Sequence, residues 1–75
     1  MKVEIFTRGN CQYSEAALRL LRKRRVDHEQ VELTDELAAE IKDRTGRATT
    51  PIVFIDGVYV GGFDELVELD QDGEL

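Results

Sequence analysis

The sequence predicts an α/β fold of order β-α-β-α-β-β-α, with one four-stranded mixed sheet flanked by helices, and three observations predict it. Short apolar runs with β-branched or aromatic residues at 2–6, 28–33, 52–55 and 58–60 read as strands. The first three are separated by stretches of helical periodicity, so strand 1, helix and strand 2 form a crossover, which is right-handed and makes those strands parallel. Asp56-Gly57 stands between the last two runs, a strong short signal for a two-residue hairpin that makes them antiparallel. Helices on both faces would bury the fully apolar third strand.

The elements follow in order. Val3, Ile5 and Phe6 carry the first strand, and residues 7–10 form a turn punctuated by Gly9 and Asn10. Helical periodicity runs over 12–25. Tyr13, Ala17, Leu20 and Leu21 share one predicted buried face, and Leu18 widens it. Arg19, Arg22, Lys23, Arg24 and Arg25 crowd the other face and the last turn, where cations complement the helix dipole. Val31 and Leu33 mark the second strand. Thr34 or Asp35 caps a second helix that runs to about residue 45, with Leu37, Ala38 and Ile41 as its apolar stripe. Glu40 and Arg44 are an i,i+4 pair, and Gly46 fits the C-terminal cap. Pro51, the only proline, opens the apolar run 52–55, a position that costs no interior ladder bond. After the hairpin, Gly61-Gly62 leads into a helix over 63–70 whose first turn holds Asp64 and Glu65. The glycine pair fits a tight turn or the close approach of a ligand.

Bulk properties narrow the function. Seventy-five residues make one domain, 1–75, with 41% hydrophobic and 35% charged residues, a globular composition. The formal net charge of −6 argues against general affinity for nucleic acid or anionic membranes. No apolar run is long enough to cross a bilayer, and Glu4, Arg8 and Glu15 interrupt residues 1–15 where a signal peptide would be apolar. One cysteine makes no internal disulfide, and a reducing cytoplasm is the simplest compartment. His28 is the only histidine; without a second histidine or cysteine it builds no metal site within one chain, and it reads as a surface or edge residue.

The chemistry gathers at Cys11. The cysteine lies where the first strand gives way to the first helix. A helix N-terminus offers unpaired N–H groups and partial positive charge, which favour the thiolate. Arg8 adds a fixed cation nearby, while Glu15 opposes it. Asn10 and Gln12 flank the cysteine and suggest exposure, which favours a reactive thiol over a small core residue.

Three short motifs then appear in one order. Cys11-Gln12-Tyr13-Ser14 resembles the Cys-Pro-Tyr-Cys site of small bacterial glutaredoxins. Thr49-Thr50-Pro51 is similar to their Thr-Val-Pro, and Gly61-Gly62-Phe63-Asp64-Glu65-Leu66 to their Gly-Gly-x-Asp-Asp-Leu. The resemblance covers nearly the whole chain and implies a thioredoxin-like fold and glutathione as co-substrate. It implies that Cys11 is the nucleophile, with Gln12, Tyr13 and Ser14 as neighbours. It also implies a cis bond before Pro51 that turns the Thr50 backbone toward Cys11, so that Thr50 pairs with the cysteinyl part of glutathione. Arg8 and Arg47 match positions that hold the glycyl carboxylate; Gly62, Phe63 and Asp64 match the γ-glutamyl end; Tyr13 packs beside the thiol or the tripeptide.

Ser14 departs from that pattern, since it stands where dithiol members carry a resolving cysteine. The resemblance then implies a monothiol oxidoreductase that acts, as a monomer, on glutathione mixed disulfides of proteins or small molecules. The serine is either native or a cysteine replaced to trap the mixed disulfide; the residues leave both open. Two alternatives stand beside this reading: a carrier of a glutathione-ligated [2Fe–2S] cluster, usually marked by Cys-Gly-Phe-Ser, and an electron donor to ribonucleotide reductase, which normally needs two cysteines.

Overall fold

A computed structural model describes all residues, 1–75. The order is β1 (Val3–Thr7), α1 (Gln12–Lys23), β2 (His28–Glu32), α2 (Asp35–Thr45), β3 (Ile52–Ile55), β4 (Val58–Gly61) and α3 (Phe63–Gln71). The strands form one sheet in the order β2-β1-β3-β4. β1 and β2 are parallel, and β3 runs antiparallel to both β1 and β4. The α/β architecture and the mixed sheet are therefore those expected from the sequence.

Alternation along β1 divides the core into two layers. Val3 and Ile5 point to one face, where Ala17, Leu18 and Leu21 of α1 and Leu66 of α3 pack with Val53. Phe6 points to the other, where Leu33, Ile41 and Ile52 are the buried centre and Leu37, Ala38, Phe54 and Tyr59 surround it. The first layer closes tightly: Ile5, Ala17, Leu21, Val53 and Leu66 have no exposed surface. The second does not. A hollow of about 480 Å³ lies between α2 and the sheet, bordered by Phe6, Leu37, Ile41, Phe54 and Tyr59.

Capping sets the ends of the elements. The Thr34 hydroxyl accepts from the Leu37 N–H at 3.1 Å and starts α2, so Thr34 rather than Asp35 is the cap. Gly46 ends α2 at φ 83°, donating its N–H to the Lys42 carbonyl at 2.8 Å. α1 stops at Lys23, two residues short of the predicted end. Arg25 there takes a φ of 57°, and the Val26 N–H closes on the Leu21 carbonyl at 2.9 Å. Asp56 and Gly57 both have positive φ, 51° and 79°, as the predicted hairpin turn requires. The Glu40–Arg44 pair forms at 3.1 Å, and His28 lies half-buried on the edge strand β2. No helix is long and apolar enough to cross a membrane.

One expectation about packing is corrected. Tyr13 was assigned to the buried face of α1, yet it is 63% exposed, and Ser14 is buried in its place. The buried set is Ser14, Ala17, Leu18 and Leu21, a spacing of three, four and seven from its first member. A hydroxyl thus occupies the position that apolar periodicity gave to an aromatic ring.

Candidate active site

Cys11 is the N-cap of α1. Its backbone is extended (φ −105°, ψ 112°), and its side chain makes no capping bond to its own helix. Its carbonyl accepts the Glu15 N–H at 3.1 Å, so the first-turn N–H groups of Tyr13 and Ser14 are left without helical partners and lie beside the sulfur. The preceding residue, Asn10, holds a left-handed φ of 59° that aims the chain into the helix.

The sulfur faces Thr50 across the sheet end. The Thr50 hydroxyl donates to Cys11 Sγ at 3.1 Å, and the thiol in turn reaches the Thr50 carbonyl at 3.6 Å. The Thr50–Pro51 bond is cis. Thr50 thus offers an acceptor for the thiol proton and a donor for the thiolate.

These contacts hold the Cys11 pKa below its ordinary value. The Ser14 hydroxyl contributes most, followed by the Thr50 hydroxyl and then the Ser14 and Tyr13 N–H groups; partial burial opposes them. Ser14 Oγ is itself buried and has no partner at hydrogen-bonding geometry. The two observations fit different protonation states: an ionised sulfur is the acceptor that this hydroxyl lacks. No charged side chain is among the causes. The expected help from Arg8 is absent because its guanidinium is turned to Asp35, 3.0 Å away, and the expected opposition of Glu15 is absent too.

A groove of about 190 Å³ runs from this point, lined by Tyr13, Thr49, Thr50 and Pro51 on the thiol side and by Arg47, Gly62, Phe63, Asp64 and Glu65 beyond. The hollow under α2 is larger but lies away from the thiol, so chemistry rather than size picks out the groove. Tyr13 and Phe63 stand together as an aromatic wall, ring centroids 6.2 Å apart. Of the residues expected in the site, Tyr13, Arg47, Thr50, Pro51, Gly62, Phe63 and Asp64 meet in the groove, with Cys11 and Ser14 at its end. Arg8 is not among its lining, and Gln12 is exposed.

Two partners of the groove were not expected: Glu65, which lines it, and Tyr59, which reaches Arg47 from outside it. Glu65 Oε1 accepts from the Gly62 N–H at 2.8 Å and from Arg47 Nη2 at 2.5 Å; Arg47 Nε donates to the Tyr59 hydroxyl at 3.2 Å. The Gly62 N–H and then Arg47 hold the Glu65 carboxyl below the ordinary carboxylate range. Gly62-x-x-Glu65 has the spacing of half a capping box, a signal that was available in the sequence. No local pattern links Tyr59 to Arg47. The glycine pair also finds its reason here. Gly61 has φ 132°, and a Cβ on it would lie 2.7 Å from Glu65 Cγ, so the glycine gives way to the folded-back glutamate.

A half-exposed cysteine on a helix N-terminus, its pKa lowered by hydroxyls and backbone N–H groups beside a cis-proline loop, defines a thiol–disulfide exchange protein of the thioredoxin-like class. A family model described as glutaredoxin matches residues 3–60. Glutaredoxin 1 of Rickettsia typhi is 41% identical over 95% of this chain and 72% of its own length. Glutaredoxin 3 of Escherichia coli K12 is 37% identical, over 97% of this chain and 90% of its own. The crystal structure of a buckwheat glutaredoxin–glutathione complex superposes with a TM-score of 0.88 at 27% identity, covering 97% of this chain and 71% of that one. The chain belongs to the glutaredoxin family, and its single cysteine fits a monothiol-type active site. Family membership supports thiol–disulfide oxidoreductase activity in general.

Proposed function

We propose that this protein is a glutathione-dependent oxidoreductase that reduces glutathione mixed disulfides by a monothiol mechanism. The observation that carries the reading is a single activated thiol at the end of a groove whose far end bears Arg47, Asp64 and the start of α3. The Cys11 thiolate attacks the glutathionyl sulfur of the substrate disulfide. The old S–S bond breaks, the substrate leaves as a thiolate and takes a proton from water, and Cys11 becomes disulfide-linked to glutathione. The thiolate of a second glutathione then attacks the glutathionyl sulfur, which releases glutathione disulfide and restores the Cys11 thiolate. Its lowered pKa serves both steps, as a populated nucleophile first and a good leaving group second.

The chain's own groups fit a tripeptide in an extended pose. Forming the mixed disulfide removes the thiol proton, which frees the Thr50 carbonyl to pair with the cysteinyl residue as an added strand would. Arg47 takes the glycyl carboxylate. The Phe63 and Asp64 N–H groups, without helical partners in the first turn of α3, take the γ-glutamyl carboxylate, and the Asp64 side chain takes its ammonium. Ser14 cannot resolve the mixed disulfide, because a hydroxyl stays protonated near neutral pH. It stabilises the thiolate instead. The protein works as a monomer in a reducing cytoplasm, and the large apolar residues it exposes are only Met1, Tyr13 and Val58.

Turnover of a small glutathione mixed disulfide with excess glutathione tests the reading. Activity that vanishes in Cys11→Ala is expected. No turnover, with Cys11 still trapped as its glutathione adduct, would sink it in favour of a binding role. The cluster-carrier alternative predicts visible absorbance and dimerisation after reconstitution with iron, sulfide and glutathione. A colourless monomer is expected, since Cys11-Gln12-Tyr13-Ser14 departs from the Cys-Gly-Phe-Ser that usually marks cluster carriers.

A further inference from the structure

We infer that Tyr59 is a positioning residue of the glutathione site, acting through Arg47 to hold a carboxylate-binding guanidinium in place before the ligand arrives. The inference rests on the reading of the groove as a glutathione site. Arg47 follows the C-cap of α2 in the loop to β3, and its side chain is 54% exposed. A long cationic side chain in such a loop has many rotamers, and a ligand that orders it pays that entropy from its own binding energy.

Here the side chain is ordered from two directions. Tyr59 accepts from Nε at 3.2 Å and Glu65 accepts from Nη2 at 2.5 Å. The backbone of Arg47 is fixed as well, with the Thr45 hydroxyl 3.3 Å from its N–H and 2.9 Å from its carbonyl. The two side-chain contacts leave the other guanidinium N–H groups for a carboxylate, which prefers two parallel N–H donors.

Tyr59 itself is firmly seated. It is opposite Phe54 in the β3–β4 ladder, their rings meet edge-on at 5.7 Å, and Phe54 meets Phe6 in the same way at 5.8 Å. The hydroxyl therefore extends from a packed aromatic row on the α2 face of the sheet to the mouth of the groove at the sheet's end. Glu65 carries charge and also binds Gly62, so its removal would alter several things together. Tyr59 is neutral and bonds only Arg47, which makes it the cleaner probe.

Tyr59→Phe removes the hydroxyl and keeps the ring. The expected result is a rise of about five-fold in KM for a glutathione mixed disulfide, the scale of one typical hydrogen bond. kcat, the Cys11 titration and the melting temperature stay unchanged. The diagnostic measurement repeats the comparison with the mixed disulfide of γ-glutamylcysteine, which lacks the glycyl carboxylate. Wild type and variant should then have the same KM. An equal rise on both substrates, or no rise on either, overturns the inference. A wild type that turns over but does not distinguish the two substrates overturns it as well, by removing the role given to Arg47. A wild type with no turnover on either substrate refutes the function proposed for the groove itself.

Discussion

The two ends of the groove handle charge by different means. At the thiol end the donors are neutral: the Ser14 and Thr50 hydroxyls and two backbone N–H groups. At the far end the groups are ionic: Arg47, Asp64 and Glu65. The contrast matches the tasks. A nucleophile must be both formed and released in each cycle, and dipoles that reorient suit both states. A ligand's fixed charges need fixed partners. Dipoles beside the sulfur are less sensitive to salt than charges at an exposed mouth, which are screened.

The largest expected effect comes from breaking the joint between the ends. Gly61→Ala places a methyl group against Glu65 at a φ that side chains rarely adopt, and it should cost about 2 kcal/mol in thermal or denaturant unfolding. Less drastic is Ser14→Ala, which acts on the thiol end alone. The Cys11 pKa rises, so turnover near neutral pH falls a few-fold and recovers at alkaline pH, as ultraviolet titration of the thiolate and a pH–rate profile would show. Raising the salt concentration sharpens the comparison without mutation. KM for the glutathione substrate climbs, while the Cys11 titration stays in place. Acidification acts on the far end. Glu65 has a folded-state pKa below its unfolded value, so its contribution to stability is present above the unfolded value and is lost as pH falls through the folded one. The smallest effect is expected from Arg8→Ala. The Asp35 pair holds this cation away from the sulfur, and the thiolate titration should not move.

These differences track what a sequence can express. The elements were legible because they rest on local rules: apolar period, the Thr34 and Gly46 caps, and Asp56-Gly57 at the hairpin. The groove residues were legible only through three motifs in order, because Cys11, Thr50 and Gly62 meet across the tertiary fold. Tyr13 was assigned to the buried face of α1 and Ser14 was not, since two adjacent residues each continue a helical stripe and hydropathy favours the ring over the hydroxyl. The ring lines the groove and the hydroxyl lies by the sulfur. Arg8 was read as help for the thiolate from nearness in sequence, and the structure pairs it with Asp35 across 27 residues. Tyr59 went unnoticed because a tyrosine alternating with Val58 and Val60 looks like any half-buried strand residue.

The hollow beneath α2 has a dynamic consequence. α2 touches the sheet through a short stripe of Leu37, Ala38 and Ile41, only one of them fully buried, while α1 and α3 close over the opposite face without a gap. Local opening should therefore begin at α2, whose amide protons would exchange with solvent before those of β1, β3 and α1. The sulfur and Ser14 belong to α1, on the slow-exchanging side. The thiol is thus attached to the part of the chain expected to persist longest, and opening at α2 should leave the surroundings of Cys11 undisturbed.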